Sequence, residues 1–139
     1  MEIKIEIEKN KIIESLHIMS AHLGKQLQAV DIVASCDDDL QRIEPMWYAA
    51  VTALSMLLVP YSHLTLEEDK VIYNLKMPAN WKSEQLDNLV KHCEVYLQNA
   101  LFANWLVYVS PENAQFYRAL NNEGAASIEH ILSLRRKPA

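Results

Sequence analysis

The sequence predicts a mainly α fold (α+β), a four-helix bundle-like domain with a small two-stranded sheet. Apolar residues recur at spacings of three and four along four long segments, which is the pattern of amphipathic helices. Two short segments instead alternate apolar and polar residues, as strands with one buried face do. The 139 residues are half hydrophobic and include only 2 Gly, which favours a single helical domain over residues 1–139.

The first strand is predicted at about residues 2–8, where three isoleucines alternate with charged residues. A helix is expected to follow over about 11–34, with Asn10 as its N-cap residue. The acidic run Asp37–Asp39 then breaks the helical pattern. Sites for hard cations space their carboxylates and include a Gly, so this run is interpreted as a solvated loop.

The second helix is predicted at about 42–59, with Pro45 confined to its first turn and Pro60 ending it. A polar connector over 61–70 leads to the second strand at about 71–77. An isolated strand would leave its backbone groups unpaired, so the two strands are expected to pair with each other.

The third helix is predicted at about 84–108, with Ser83 as its N-cap residue. It is apolar on most sides towards its C-terminal end, which predicts a central position in the bundle. Ser110-Pro111-Glu112 is a strong start signal for the fourth helix, at about 111–134.

Composition argues against several classes of function. A net charge of −5 does not favour strong nucleic-acid binding, and 2 Gly are too few for a phosphate-binding loop. The longest apolar run, 56–60, is too short to cross a bilayer, so no membrane contact is expected. Cys36 and Cys93 are the only cysteines and form no CxxC pair, so both are expected to be reduced, largely buried thiols in a reducing compartment.

The candidate catalytic and metal-binding residues do not form a convincing set. His17, His92 and His130 could meet across helices in a bundle metal site, but no HxxxH or ExxH spacing supports one. His92 and Cys93 are adjacent on a helix, where their side chains diverge, so they cannot act as a base and a nucleophile. The sequence therefore predicts no catalytic residues, no metal and no cofactor.

Interaction is the better-supported function, and its candidate residues fall into three groups. Trp81 lies in the connector before the third helix, either as a plug on the core or as an interface anchor. The other two groups are an acidic cluster and a basic tail: Glu67, Glu68 and Asp69, and Arg135, Arg136 and Lys137. The tail is either a C-terminal helix cap or, with the acidic cluster of a neighbouring copy, a head-to-tail contact. The outer edge of the first strand is a further contact surface.

The order of these elements carries a resemblance. The second strand ends in Leu75-Lys76-Met77-Pro78-Ala79-Asn80-Trp81, and the last helix ends in Arg135-Arg136-Lys137-Pro138. The helix between them contains Tyr96-Leu97-Gln98-Asn99-Ala100-Leu101-Phe102-Ala103-Asn104-Trp105-Leu106. In these features the chain resembles short helical proteins encoded in phages and prophages of Bacteroides-type bacteria, near their virion-assembly genes.

The resemblance implies a non-enzymatic role in virion assembly, similar to that of head–tail connector or head-completion proteins. It implies that the partners are other virion-assembly proteins or further copies of the chain, as a homo-oligomer on assembly. The expected location is the cytoplasm of the bacterial host, or the virion itself. The alternatives are a helical binding or regulatory module for a small molecule or peptide and, less favoured, a metal-dependent bundle enzyme.

Overall fold

The computed structural model describes residues 1–28, 33–34, 39–59 and 61–137, with the backbone alone for residues 40 and 62–66. These residues form four α-helices and one three-stranded sheet, so the predicted mainly α (α+β) class is confirmed. The elements in chain order are β1 (Glu2–Glu8), α1 (Lys9–Leu27), α2 (Leu40–Leu58), β2 (Ser62–Leu66), β3 (Lys70–Lys76), a 3-10 turn (Ser83–Gln85), α3 (Leu86–Val109) and α4 (Pro111–Ser133).

The strand order in the sheet is β1-β3-β2, and both pairings are antiparallel. The predicted pairing of the first strand with the strand near 71–77 is confirmed, with Ile5 opposite Tyr73. The sheet has one strand more than predicted, because β2 forms within residues 61–70, for which the sequence predicts only a polar connector. β2 and β3 make a hairpin, which occupies the second edge of β3 and leaves this central strand paired on both sides.

The core lies between the sheet and the helices, and α3 runs through its centre. On β1, Ile5 and Ile7 are buried against the helices. On α3, Leu97, Leu101 and Trp105 are almost fully buried, and this helix packs against α4, α2 and α1. The central position predicted for the third helix is therefore confirmed.

The first helix differs from its prediction at both ends. It begins at Lys9, directly after β1, so Glu8 and not Asn10 occupies the N-cap position. It ends at Leu27 instead of residue 34, because Gln28 adopts the left-handed conformation at φ 54°. The left-handed conformation ends the helix, because the backbone N–H of Gln28 turns back to the carbonyls of Gly24 and Lys25. Cys36 and the first two aspartates of the predicted acidic loop lie outside the described residues.

Two hydrogen bonds attach residue 34 to α1. The backbone N–H of Ala34 donates to Ser20 Oγ at 2.8 Å, and Nδ1 of His17 donates to the carbonyl of Ala34. Ala34 and Ser20 are both fully buried. His17 therefore has a structural partner, and its bond helps to attach residue 34 to α1.

The second helix begins at Leu40, earlier than predicted, so Pro45 lies in its second turn and not in its first. Pro45 has no N–H to donate to the carbonyl of Gln41. The carbonyl of Asp39 fixes the start of the helix, because it accepts hydrogen bonds from the N–H groups of Arg42 and Ile43, each at 2.9 Å. Pro60, predicted to end this helix, lies outside the described residues.

The last two helices follow their predictions with one correction. Ser83 belongs to the 3-10 turn, and Gln85 occupies the N-cap position of α3, so Ser83 is not the predicted cap. Ser110 does occupy the N-cap position of α4, with Pro111 as the first helical residue. Its hydroxyl accepts a hydrogen bond from the side-chain amide of Asn113 at 2.8 Å.

Candidate interaction surface

β1 lies at an edge of the described sheet, and its bonds to β3 fix the direction of its backbone groups. Met1 and Met77 exchange hydrogen bonds at 2.7 and 3.0 Å, and Lys9 N donates to the carbonyl of Asp69 at 2.9 Å. Bonded pairs alternate along an antiparallel ladder, so the odd-numbered residues of β1 bond to β3. The even-numbered residues direct their N–H and C=O groups away from the sheet, and we call these groups the outer edge of β1: Glu2, Lys4, Glu6 and Glu8.

The side chains of the same four residues are exposed and lie on the solvated face of the sheet. Glu6 is the best paired of them, with Lys70 Nζ at 2.8 Å from Oε1 and Lys4 Nζ at 3.6 Å from Oε2. The hydrogen bond from Lys70 holds the pKa of Glu6 below its ordinary value and raises the pKa of Lys70. On this face Glu6 therefore links β1 to β3 through its ion pair with Lys70.

The predicted acidic cluster forms the exposed turn between β2 and β3. Its residues are Glu67, Glu68 and Asp69, and the N–H of Glu67 closes the turn by donating to the carbonyl of Lys70 at 2.9 Å. Lys70 Nζ also lies 3.7 Å from Glu67 Oε2. The turn therefore presents carboxylates at one end of the sheet, beside the end of β1.

The basic tail does not project as a free arm. The backbone N–H of Arg136 donates to the carbonyl of Asn80 at 2.6 Å. Its guanidinium donates to Ser83 Oγ at 2.9 Å and to Glu84 Oε2 at 3.0 Å. The pKa of the Glu84 carboxyl is lowered, first by a hydrogen bond from its own backbone N–H and then by Arg136. Arg136 and Lys137 are both exposed, but these bonds hold Arg136 against the segment that precedes α3.

Arg135 is also engaged within the chain. Its Nη1 donates to the carbonyls of Leu132 and Leu134 at 2.8 and 2.9 Å, which supports the predicted role as a C-terminal helix cap. It also forms an isolated β-bridge with Trp81. The head-to-tail contact predicted for the tail would have to break these bonds first.

Trp81 is a plug and not a surface anchor. Its side chain is fully buried, and Nε1 donates to the carbonyl of Ile131 at 3.0 Å. The connector before α3 is thereby fixed to the end of α4. The interface role considered from the sequence is wrong for this residue, because no part of the indole is available to a partner.

The three histidines considered for a metal site are not brought together. His17 bonds to Ala34, whereas His92 and His130 line an open groove of about 390 Å³ between α3 and α4. Nδ1 of His92 donates to the carbonyl of Asn88 at 2.8 Å. Within the part of the chain that the structure describes, no group of three or more His, Cys, Asp or Glu side chains could hold a metal ion.

The side chains with the most strongly shifted pKa values lie in the core. Burial raises the pKa of the Cys93 thiol to about 12 and that of the Tyr73 hydroxyl to about 12. Tyr73 donates to the carbonyl of Val51 at 3.0 Å and lies 3.1 Å from Ser55 Oγ. The core position predicted for Cys93 is confirmed, and both groups are held in their neutral forms.

Sequence reasoning missed a partly buried ion pair among the described residues. Lys9, at the junction of β1 and α1, is only 9% exposed and pairs with Glu44 of α2, with its Nζ 5.9 Å from the centre of the Tyr48 ring. The two charged residues are 35 positions apart in the chain. Neither the helical nor the strand period of the hydrophobic pattern indicates such a pair, because the pair depends on how α2 is placed against the sheet.

No described helix has both the length and the apolar character needed to cross a membrane. Comparisons of the chain with protein-family models, with curated proteins and with solved structures find no match.

Proposed function

We propose that this chain is a non-enzymatic phage virion-assembly protein, similar to head–tail connector or head-completion proteins, that acts through protein–protein contacts. The observation that carries the proposal is the outer edge of β1. Its four residues offer N–H and C=O groups that no described strand pairs, beside exposed charged side chains. Such an edge is a template for adding a strand from another chain.

The chemistry of the side chains supports a contact function over a catalytic one. Catalysis uses groups with shifted pKa values that face a cleft. Here the groups held neutral by burial, Cys93 and Tyr73, are enclosed by core side chains. The sequence resemblance supplies the more specific part of the proposal, which is the role in the head or tail of a virion.

The proposal is tested by deleting the gene from a phage or prophage that encodes the chain. We expect a loss of infectious titre, with heads and tails that accumulate separately in electron micrographs. Complementation by the wild-type chain should restore the titre, and Lys25→Glu, a charge change on the exposed face of α1, should restore it as well. A deletion that leaves the titre and the particles normal contradicts the proposal.

A second candidate function is a helical binding module for a small molecule or peptide. The groove between α3 and α4 favours it, because Asn88, His92, Ser127 and His130 place polar groups around one opening. A fragment library screened by protein-observed NMR distinguishes the two functions. Binding that shifts the signals of these four residues, and that His130→Ala removes, would favour the module.

A further inference from the structure

We propose that the outer edge of β1 pairs with the same edge of a second copy, which joins two sheets into one continuous antiparallel sheet across a two-fold axis. The inference rests on the proposed function only in placing the contact at this edge. It adds the identity of the partner and the register of the pairing, neither of which follows from an open edge alone.

The hydrogen-bonding pattern restricts the registers available. Within the described sheet, only the even-numbered residues of β1 direct their backbone groups outward, so even residues of one copy must bond to even residues of the other. The side chains of the two strands then alternate in phase, with the isoleucines of both copies on the helix-covered face. Registers that pair an even residue with an odd one are excluded, because they would place isoleucines on the solvated face.

The charges and the length of the contact together favour one register among those that remain. When the two-fold axis passes through Ile5, Lys4 of each copy lies opposite Glu6 of the other, and all of residues 2–8 are paired. Centring the contact on Lys4 places Lys4 opposite itself and Glu2 opposite Glu6, which are like charges throughout. Centring it on Ile3 places Glu2 opposite Lys4 but pairs only residues 1–5, and centring it on Glu6 pairs only residues 4–8. Opposite charges across strands stabilise a sheet, and a longer contact forms more backbone hydrogen bonds. The register centred on Ile5 is favoured because it combines central opposite charges with the longest pairing.

Two symmetry-related pairs in this register have like charges, one at each end of the contact. Glu2 lies opposite Glu8 of the second copy at each end of the contact. On the other side of the same rows, β3 places Lys76 opposite Glu2 and Lys70 opposite Glu8. The positive charge of these lysines lowers the net charge at each end of the contact, and both pairs lie at the solvent-exposed ends, where salt screens the repulsion.

The same charges explain why the second copy is preferred to an arbitrary strand. Charged side chains on an edge strand ordinarily discourage pairing with other chains. They permit it only where the incoming strand carries the complementary order of charges. An identical strand running in the opposite direction meets this requirement at the two central positions. Around Ile5 it places Glu6 opposite Lys4 and Lys4 opposite Glu6.

The test is a charge exchange between copies, followed by sedimentation equilibrium over a range of protein concentrations. Lys4→Glu places two carboxylates opposite each other in both symmetric pairs, and Glu6→Lys places two ammonium groups there. Each variant alone should raise the dimer dissociation constant roughly tenfold or more. A mixture of the two variants should recover association, because every central pair in the mixed dimer again has opposite charges.

Two further variants separate backbone pairing from folding defects. Lys4→Pro removes an outward N–H at a position where an edge strand tolerates proline, and it should abolish the dimer with little change in helicity. Lys25→Glu makes the same charge change as Lys4→Glu away from the edge and should associate like the wild type. Glu6→Lys also breaks the ion pair with Lys70, but a misfolded variant would not regain association on mixing.

A wild-type chain that stays monomeric at its highest soluble concentration overturns the inference. So does a dimer that survives Lys4→Pro and both charge variants, since it would use another surface. Neither result affects the test of the proposed function, which reads titre and particle content and holds equally for a contact with a different assembly protein.

Discussion

Replacement of Trp81 measures how strongly the connector before α3 is fixed to the core. The indole is fully buried and donates to the carbonyl of Ile131. Truncation of a buried Trp to Ala costs about 3–5 kcal/mol, through lost burial and the cavity that remains. The carbonyl of Ile131 also accepts from the N–H of Leu134 at 3.2 Å, so it keeps a hydrogen bond in the Trp81→Ala variant. We therefore expect most of the cost to come from packing.

Trp81→Phe separates the hydrogen bond from the packing. It keeps most of the aromatic contact and loses the N–H, so we expect a smaller cost, with about 1 kcal/mol of it from the hydrogen bond. The assay is urea denaturation followed by circular dichroism, with the free energy of unfolding from linear extrapolation. Phe116→Ala is the control, because Phe116 is 62% exposed and its loss should change stability by less than about 0.5 kcal/mol.

The refuting result is a Trp81→Ala variant that unfolds at the wild-type urea concentration. That outcome would mean that the connector does not need its plug and that the buried position of Trp81 contributes little to the fold. A variant that loses about 3 kcal/mol or more, with an unchanged dependence on urea, would confirm the argument from burial.

Three further predictions follow from the same structure. Ile5→Lys should cost several kcal/mol in urea denaturation, since it places a charge in the interface between the sheet and the helices, and an unchanged midpoint would contradict the packing of β1. Tyr73 should ionise at about pH 12 in the folded chain, as measured by ultraviolet absorbance. Because burial raises its pKa above the ordinary value of 10.0, the stability that the neutral hydroxyl contributes is fully present below pH 10.0 and is lost as the pH rises to about 12. The Tyr73→Phe variant should not show that loss. Cys93 should resist alkylation by iodoacetamide in the native chain and react after unfolding, as read from its own peptide by mass spectrometry; rapid native labelling would contradict its burial.

The regular elements were predictable where one period of the hydrophobic pattern dominates. β1 has the predicted bounds, because the alternation of isoleucine with charge is strict over its whole length. β2 was missed, because a strand of only five residues, Ser-His-Leu-Thr-Leu, contains too few apolar positions to establish a period. β2 forms because β3 has a free edge beside it. The presence of that edge depends on the tertiary structure and is not visible in a local sequence pattern.

The contact surface was only partly predictable for a similar reason. The sequence marks β1 as a charged strand with an outer edge. Whether its odd-numbered or its even-numbered residues direct their backbone groups outward depends on the pairing of Met1 with Met77. The engagement of Arg136 with Ser83 and Glu84 joins residues more than 50 positions apart. A local pattern of charges cannot distinguish such a docked tail from a free one.

The direct junction of β1 and α1 has a consequence for folding and for exchange of segments between copies. β2 and β3 are adjacent in the chain and can form their hairpin early, whereas β1 must return across about sixty residues to join it, at the cost of closing that loop. Until it does, the second edge of β3 is open to β1 of another molecule. Because α1 begins at the residue after β1, there is no hinge at which the strand alone could cross over. Any swapped species must therefore exchange β1 and α1 as one unit, and it would form during refolding at high protein concentration, not by slow opening of the native chain.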